Sequence, residues 1–172
     1  MITAGAIGLP EQSTSSGISL RGRTVPSYIA VEGPIGVGKT TLARRIADTF
    51  DYDLLLEEAE MNPFLERFYL NRQQTALATQ LFFLFQRVQK ITELKQRDMF
   101  DQARVADFVL EKDPLFAGVN LDPDEFALYE KVFSKMRVDA PVPDLVIYLQ
   151  ASPDRLLERI DRRGIDAERL ID

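Results

Sequence analysis

The sequence contains no cysteine and no histidine. A chain without these two residues cannot build a disulfide scaffold, a zinc knuckle, a thiol nucleophile, a Ser-His-Asp triad or a histidine-ligated haem. Any chemistry that the protein performs must therefore rest on aspartate, glutamate, lysine, arginine, serine or threonine side chains.

Long apolar runs and an excess of positive charge are also missing. No apolar run exceeds the five residues of Leu81–Phe85, whereas a membrane-spanning helix needs about 20. The first residues lack the basic start of a secretory signal, so we expect a cytoplasmic protein that does not associate with a membrane. With 27 acidic against 21 basic residues and a formal charge of -6, the chain has no overall positive field for a nucleic-acid polymer.

The length of 172 residues and the hydrophobic content of 45% predict one compact domain. Residues 1–26 are rich in glycine, serine and threonine and follow neither a strand nor a helix period, so we predict a disordered N-terminal tail. In residues 27–172, short apolar strands alternate with amphipathic helices, which predicts an α/β fold with an open parallel sheet and helices on both faces. Strands are predicted at 28–31, 54–56, 105–110 and 144–149, and helices at 42–50, 64–69, 73–97, 123–136 and 154–163.

A phosphate-binding motif follows the first predicted strand. Residues 33–40 read GPIGVGKT and fit G-x-x-x-x-G-K-[ST] between a strand and a helix, the context in which this motif binds ATP or GTP. Glycines let main-chain N–H groups face anionic oxygens, Lys39 is placed to neutralise the β- and γ-phosphates, and the Thr40 hydroxyl is placed to hold Mg²⁺. A glycine turn before a helix is the structural alternative. The predicted nucleotide contacts are Gly33, Pro34, Ile35, Gly36, Val37, Gly38, Lys39, Thr40 and Thr41.

Carboxylates stand at the ends of two predicted strands. Glu57 and Glu58 follow the second strand, and Glu111 and Asp113, separated by Lys112, follow the third. Ligands of open α/β sheets bind beyond the carboxyl ends of the strands. There, one carboxylate is able to deprotonate an acceptor hydroxyl and another to hold a metal ion. The structural alternative is that these residues only solvate loops.

The long predicted helix carries two polar residues in the middle of its apolar stripe. Gln80 and Arg87 are seven residues apart and share one face with apolar side chains, among them Phe83. A buried amide and a buried guanidinium need partners, and a flat heterocycle packed against an aromatic ring would supply them. Partners within the protein are the equally weighted alternative.

A basic cluster ends the last predicted helix. Arg159, Arg162 and Arg163 precede Gly164, which offers a hinge or a helix stop. The cluster suits either a lid over a transferring phosphate or an ordinary solvated face that pairs with Asp154 or Glu158.

With these residues in place, the chain resembles the deoxyribonucleoside kinase family of P-loop kinases, particularly its bacterial deoxyadenosine/deoxyguanosine kinase-like branch. The resemblance runs from about residue 28 to residue 168. The segments that carry it are residues 33–40, 57–64, 80–82, 111–113 and 144–151.

The resemblance implies a role for each matching residue. Glu57 matches the general base that acts on the nucleoside 5′-hydroxyl, Gln80 matches a side chain that hydrogen-bonds the base, and Arg87 matches a base-contacting arginine. Glu111 matches the acidic position associated with magnesium. Lys112 stands where the family usually has the arginine of a Glu/Asp-Arg-Ser motif, so the positive charge is kept but the bidentate geometry is lost.

The resemblance extends to the predicted lid. Arg159 and Arg163 match lid arginines that embrace the phosphates, and Glu168 matches the acid that contacts the sugar 3′-hydroxyl. Ile165 stands where another lid arginine is usual. The family normally adds a fifth strand and closing helices, whereas the sequence predicts four strands, so we expect a domain that is short at its C-terminus.

The resemblance implies an ATP- and Mg²⁺-dependent kinase of nucleotide salvage that phosphorylates the 5′-hydroxyl of a deoxynucleoside, with purines slightly favoured, and that forms a homodimer. The predicted catalytic residues are Glu57, Lys39, Lys112, Arg159 and Arg163. Two alternatives stay open at this point. One is another small-molecule or nucleotide kinase of the same architecture, and the other is a catalytically silent ATP-binding module.

Overall fold

The computed structural model describes residues 5–6, 18–20, 23–97, 103–136 and 140–164. The chain forms two compact units, which we call the sheet unit (residues 1–56, 98–108 and 141–162) and the helical unit (residues 57–97, 109–140 and 163–172). The described strands are β1 (Gly5–Ala6), β2 (Ile18–Leu20), β3 (Arg23–Val25), β4 (Tyr28–Glu32), β5 (Asp53–Leu55), β6 (Arg104–Ala106) and β7 (Leu145–Tyr148). The described α-helices are α1 (Lys39–Phe50), α2 (Leu65–Leu70), α3 (Arg72–Arg97), α4 (Asp113–Asn120), α5 (Pro123–Met136) and α6 (Pro153–Arg163).

The sheet unit is built on a five-stranded sheet in the order β1-β7-β4-β6-β5. Strands β7, β4, β6 and β5 are parallel, and Ala30 of β4 lies opposite Ala106 of β6 and Val146 of β7. Ala30 and Val31 of β4 are fully buried. A central strand of a parallel sheet is covered on both faces, which explains why consecutive residues of β4 are apolar. The predicted α/β class with an open parallel sheet is confirmed.

Helix α1 follows β4 and presents small side chains to the sheet unit's core. Ala43 and Ala47 are buried and pack in one cluster with Ile29, Val31 and Val105. Small residues let the helix approach closely, and the arginine side chains of α1 lie outside this cluster. The helix that carries the end of the phosphate motif is therefore held by the central strands.

Three short strands lie within residues 1–26, where the composition predicts a disordered tail. Strand β1 pairs antiparallel with β7, and β2 pairs antiparallel with β3. Such pairing uses backbone N–H and C=O groups, which are present in every sequence, so it needs no apolar repeat to form. The pattern-based prediction had no means of finding these strands.

The helical unit is organised around the 26-residue helix α3. Helices α2, α4 and α5 all contact α3, and its buried apolar residues include Ala76, Leu84 and Ile91. The predicted bounds of α3 and α5 agree closely with those observed. Helix α4 was not predicted, because eight residues are too few to show a clear helical period. None of the helices in the described part of the chain has the length and apolar character needed to cross a bilayer.

The third predicted strand is shorter than expected. The pattern predicted a strand over residues 105–110, but β6 ends at Ala106 and residues Leu110–Lys112 form a 3₁₀ turn. Phe108 and Leu110 are buried without being in a strand, and a short apolar run does not distinguish these two situations. The residue that follows the strand is therefore Asp107, which matters for the site.

Candidate active site

The phosphate motif forms a turn that depends on glycine. Gly33, Gly36 and Gly38 have φ values of 143°, 77° and 103°, which side-chain-bearing residues rarely adopt. A Cβ on Gly33 would lie 2.4 Å from the carbonyl oxygen of Leu149, whereas a Cβ on Gly38 would have no described atom within 4 Å apart from those of Gly38 and its two chain neighbours. The turn therefore leaves open space beside the N-terminus of α1, where main-chain N–H groups and the helix dipole favour an anion.

Lys39 and Thr40 begin helix α1, and their polar groups have different partners. The Lys39 Nζ donates to the carbonyl oxygens of Gly33 at 2.8 Å and Pro34 at 3.2 Å, so the ammonium lies across the turn. The Thr40 hydroxyl donates to Oδ2 of Asp107 at 2.6 Å. Thr41 is the next residue and is exposed. The arrangement places one cation, one hydroxyl and one carboxylate beside the open loop.

Thr40 and Asp107 fit a magnesium ion that also binds phosphates. Mg²⁺ in nucleotide sites takes one or two protein oxygens and fills its octahedron with phosphate oxygens and water. Asp107 is only 2% exposed and hydrogen-bonds the hydroxyl that the motif assigns to the metal. Within the described residues, no group of three or more acidic side chains is arranged to hold a metal ion.

Glu111, the predicted metal ligand, does not directly follow a strand. It is exposed on the 3₁₀ turn of the helical unit. The predicted strand end at residue 110 is wrong because β6 stops at Ala106, whereas the metal role of Glu111, which the family resemblance implies, stays a prediction. The sequence analysis did not select Asp107 as a site residue. Its position as the first polar residue after the apolar residues Val105 and Ala106 would have indicated it.

The basic cluster on α6 divides between two environments. The Arg159 Nη1 donates to the carbonyl oxygen of Val37 in the phosphate loop at 2.9 Å. Arg162 instead pairs with Glu158 at 3.0 Å on the exposed face of α6, and Arg163 is exposed. Arg159 also borders a cavity of about 530 Å³ in the sheet unit. The other residues lining that cavity are Gln150, Ala151, Ser152, Arg155, Glu158 and Arg162.

A compact charged cluster occupies the helical unit. Arg87 of α3 donates through Nη2 to Glu57 and through Nη1 to Asp113, and the Lys112 Nζ lies 3.6 Å from Glu57 Oε2. Two carboxylates are thus balanced by two cations. The Arg87 Cζ also lies 5.3 Å from the centroid of the Phe83 ring. Because Arg87 is joined to two carboxylates, the structure favours the alternative in which this guanidinium has partners within the protein.

Burial controls protonation in this cluster. Desolvation raises the pKa of the fully buried Asp113 to about 6, an effect that Arg87 opposes and that Glu57 reinforces. Burial, together with the nearby Asp113 charge, also raises the pKa of the Tyr129 hydroxyl, so this group stays neutral. Among the described residues, Asp113 Oδ2, Arg87 Nε and the Tyr129 hydroxyl find no hydrogen-bond partner. Asp113 was recognised in the sequence as a strand-end residue, but its pairing with Arg87 was not foreseen.

The remaining predicted substrate residues are Gln80 and Glu168. Gln80 is buried at 5% exposure on α3, as the interrupted apolar stripe predicted. Buried amides require hydrogen-bond partners, so this side chain remains a candidate for contact with a ligand. Glu168, and with it Ile165, lies outside the described residues.

The sequence matches the family profile described as deoxynucleoside kinase over residues 29–172. It is 35% identical over 146 residues to the deoxyguanosine kinase of Bacillus subtilis (strain 168), a match that covers 84% of this chain and 70% of that protein. It is 31% identical over 152 residues to the deoxyadenosine/deoxycytidine kinase of the same organism, covering 83% of this chain and 68% of that protein.

The fold is similar to solved structures of a deoxyadenosine kinase from M. mycoides. The structure with bound dCTP superposes with a TM-score of 0.72 at 27% identity and covers 84% of this chain and 74% of that chain. The structure with bound dATP gives a TM-score of 0.71 at 29% identity, covering 84% of this chain and 75% of that chain.

Proposed function

This chain belongs to the deoxynucleoside kinase family, and from that premise we propose that it transfers the γ-phosphoryl group of ATP to the 5′-hydroxyl of a deoxynucleoside. The products are the deoxynucleoside monophosphate and ADP. The expected enzyme class is confirmed by the family match and by relatives that are deoxynucleoside kinases. No observation favours the silent ATP-binding module or a kinase for another class of small molecule.

The charged cluster around Glu57 is the observation that carries this proposal. Glu57 is a carboxylate held between Arg87 and Lys112, and it follows strand β5 closely in the chain. It is 17% exposed, so a ligand hydroxyl is able to reach it. Phosphoryl transfer needs a group that accepts the acceptor's proton together with cations that stabilise the phosphoryl charge.

Glu57 accepts the proton of the 5′-hydroxyl as that oxygen forms its bond to the γ-phosphorus. The bond between this phosphorus and the β–γ bridging oxygen breaks at the same time, and the electron pair leaves with ADP. Lys112, 3.6 Å from Glu57, and the lid arginines Arg159 and Arg163 stabilise the charge of the transferring group. Most of the rate enhancement comes from positioning and electrostatics.

The phosphate loop holds the donor. The open space beside Gly38 and the N-terminus of α1 receive phosphate oxygens, and Lys39 exchanges its contacts with the Gly33 and Pro34 carbonyls for the β- and γ-phosphates. Thr40 and Asp107 would hold Mg²⁺. In that position the ion would supply positive charge that offsets the negative charge developing on the phosphates.

Gln80, Arg87 and Asp113 are proposed to recognise a purine base. All three are buried in the helical unit, where hydrogen-bonding groups are strongest and most selective. Arg87 donates from its two Nη atoms to Asp113 and Glu57, so it contributes by holding these carboxylates in position. The Gln80 amide is able to donate to and accept from the edge of a purine, and a carboxylate accepts from ring N–H groups. The B. subtilis relative that is named a deoxyguanosine kinase agrees with this preference.

A phosphorylation assay with labelled ATP tests the function. We expect label to reach purine deoxynucleosides, with kcat/KM at least about tenfold above that for thymidine, because one well-placed hydrogen-bonding pair discriminates by about that factor or more. Nucleoside monophosphates should receive no label. Transfer to monophosphates but not to nucleosides, or transfer to no acceptor at all, contradicts the proposal.

The same phosphorylation assay also tests whether transfer requires Mg²⁺ and which carboxylate binds the ion. EDTA should abolish transfer, and Asp107→Asn should raise the Mg²⁺ concentration needed for half-maximal rate by about tenfold, since one of the ion's two protein contacts weakens. Glu111→Gln is the matched substitution on the exposed turn. If Glu111→Gln shifts the magnesium requirement and Asp107→Asn does not, the metal belongs to Glu111.

We also infer that the helical unit pairs with a second copy of the chain. Phe85 on α3 and the α4 residues Leu115, Phe116 and Val119 are all more than half exposed, and α3 and α4 pack against each other. Exposed apolar side chains that gather on neighbouring helices mark protein interfaces. Sedimentation equilibrium should give the mass of two chains, and a single-chain mass at micromolar concentration contradicts the pairing.

A further inference from the structure

The segment that carries Glu57 runs along helix α3 in the opposite direction. We call residues 57–62 the acceptor segment. At its start, Glu57 accepts from Arg87, and the carbonyl oxygen of Glu58 accepts from Gln86 Nε2 at 3.2 Å. At its end, the Asn62 Nδ2 donates to the carbonyl oxygen of Thr79 at 3.2 Å. Residues 79 and 87 are about 12 Å apart along a helix, so the segment is attached to α3 at two separated places.

At the far end of the acceptor segment, both polar atoms of the Asn62 amide are hydrogen-bonded, and one of these bonds attaches the segment to α3. The Oδ1 accepts from the backbone N–H of Phe64 at 3.0 Å, which shapes the turn into α2, and the Nδ2 reaches α3. Asn62 is 5% exposed and Thr79 is 1% exposed, so water does not replace either bond easily. A buried amide with two directed bonds defines the position of the segment more strictly than apolar packing does.

The two attached ends correspond to the two ends of a nucleoside. Gln80 follows Thr79 directly in α3, whereas Glu57 lies at the opposite end of the acceptor segment. The distance between the base and the 5′-oxygen of a nucleoside is set by its own covalent structure. An enzyme that binds the base at Gln80 and deprotonates the hydroxyl at Glu57 must therefore hold a matching distance between these residues.

We propose that Asn62 is a positioning residue that sets the distance between Glu57 and Gln80. This inference rests on the proposed function. Arg87 anchors the Glu57 end of the acceptor segment and Asn62 anchors the Gln80 end. Loss of the Asn62 bond leaves the segment attached to α3 only at its Glu57 end, through Arg87 and Gln86. The segment is then free to turn about that end, which changes the position of the Glu57 carboxylate relative to a base held at Gln80. Displacements of about 1 Å in such constellations cost up to about 100-fold in rate.

The variant Asn62→Asp tests this role with little change in shape. Aspartate keeps an oxygen for the Phe64 N–H but loses the donor to Thr79. We expect kcat/KM for a deoxynucleoside to fall about 10- to 100-fold while the KM for ATP changes less than about twofold. We also expect the ratio of purine to pyrimidine kcat/KM to change by about threefold or more, because their bases place the sugar differently.

Asn120→Asp is the matched control. The Asn120 Nδ2 also donates to a backbone carbonyl, that of Phe116 at 2.8 Å, but on the exposed surface of α4. The chemical change is identical, and Asn120 is the last residue of α4, at the opposite end of that helix from Asp113. Its kinetic constants should remain within about twofold of wild type.

A second variant, Asn62→Ser, keeps a short acceptor for the turn and adds no charge. Circular dichroism is used to verify folding of both variants at the assay temperature. The inference is overturned if a folded variant retains wild-type kcat/KM, or if kcat falls equally for all nucleosides with unchanged KM values, as an inactive fraction would give. It is also overturned if both variants are unfolded, since Asn62 is then required only for stability. A wild-type chain that phosphorylates no nucleoside overturns the proposed function itself.

Discussion

Replacement of Glu57 by glutamine is expected to lower kcat for nucleoside phosphorylation by about 100-fold or more while leaving ATP binding unchanged. General-base catalysis contributes about 10²- to 10⁴-fold, and glutamine keeps the size and hydrogen-bonding capacity of the side chain without its proton affinity. The ATP-binding residues of the phosphate loop are untouched. Steady-state kinetics with a saturating purine deoxynucleoside, together with ATP titration by calorimetry, would measure both quantities.

The neighbouring residue supplies a matched control. Glu58 is 52% exposed and pairs with Lys90 at 2.9 Å on the surface of the helical unit. Glu58→Gln makes the same substitution one residue away, and we expect turnover within about twofold of wild type because exposed ion pairs contribute little. Wild-type turnover in Glu57→Gln, or an equal loss in both variants, removes Glu57 from the role of base.

The wild-type protein should lose stability relative to Asp113→Asn as the pH rises from about 4 to 7. The pKa of Asp113 is raised to about 6 from 3.8, chiefly by burial. Between these two values the folded chain binds a proton at residue 113 that the unfolded chain has released, so an increase in pH favours unfolding. A pKa difference of this size corresponds to about 3 kcal/mol. Above about pH 6 both states are ionised and the loss is complete.

Urea unfolding of both proteins at pH 4.5, 5.5 and 7 would test this expectation. The amide introduced by Asp113→Asn does not titrate, and its oxygen still accepts from Arg87, so the other ionisable groups contribute similarly to both curves and the difference isolates Asp113. We expect the stability difference, wild type minus variant, to become more negative by about 2 to 3 kcal/mol between the extremes. A difference that stays constant, or that changes in the opposite direction, shows that Arg87 stabilises the carboxylate more than burial destabilises it.

The phosphate loop is a feature that neighbouring residues in the sequence are sufficient to predict. Its glycines, Lys39 and Thr40 lie within eight consecutive residues, and the turn is shaped by backbone conformations that only glycine adopts readily, so the pattern alone predicts the loop and its ligand class. The predicted limits of the long helix α3 also agree with the structure, because 26 residues provide many turns of helical periodicity. Short elements such as α4 and the paired strands β1, β2 and β3 offer no comparable signal.

The contacts of the buried polar and charged residues are not predictable from neighbouring residues in the sequence. Gln80 and Arg87 were recognised as anomalous from their positions in an apolar stripe, but the stripe does not indicate what they contact. Arg87 meets Glu57 and Asp113 from positions 30 and 26 residues away in the chain. Asp107 meets Thr40 across 67 residues. These pairings depend on which strand ends and helix faces are brought together. A shift of a few residues in one strand end makes Asp107, rather than Glu111, the first acidic residue after β6.

The sequence by itself determined the phosphate loop, the α/β alternation and the residue types available for chemistry, because each of these follows from neighbours within one turn, strand or helix. Only the tertiary structure decided the partners of the buried charges: Asp107 for Thr40, and Glu57 and Asp113 for Arg87. The physical reason is that the cost of burying a charge is offset by whichever opposite charge the packing brings near, and distance along the chain contains no information about that approach.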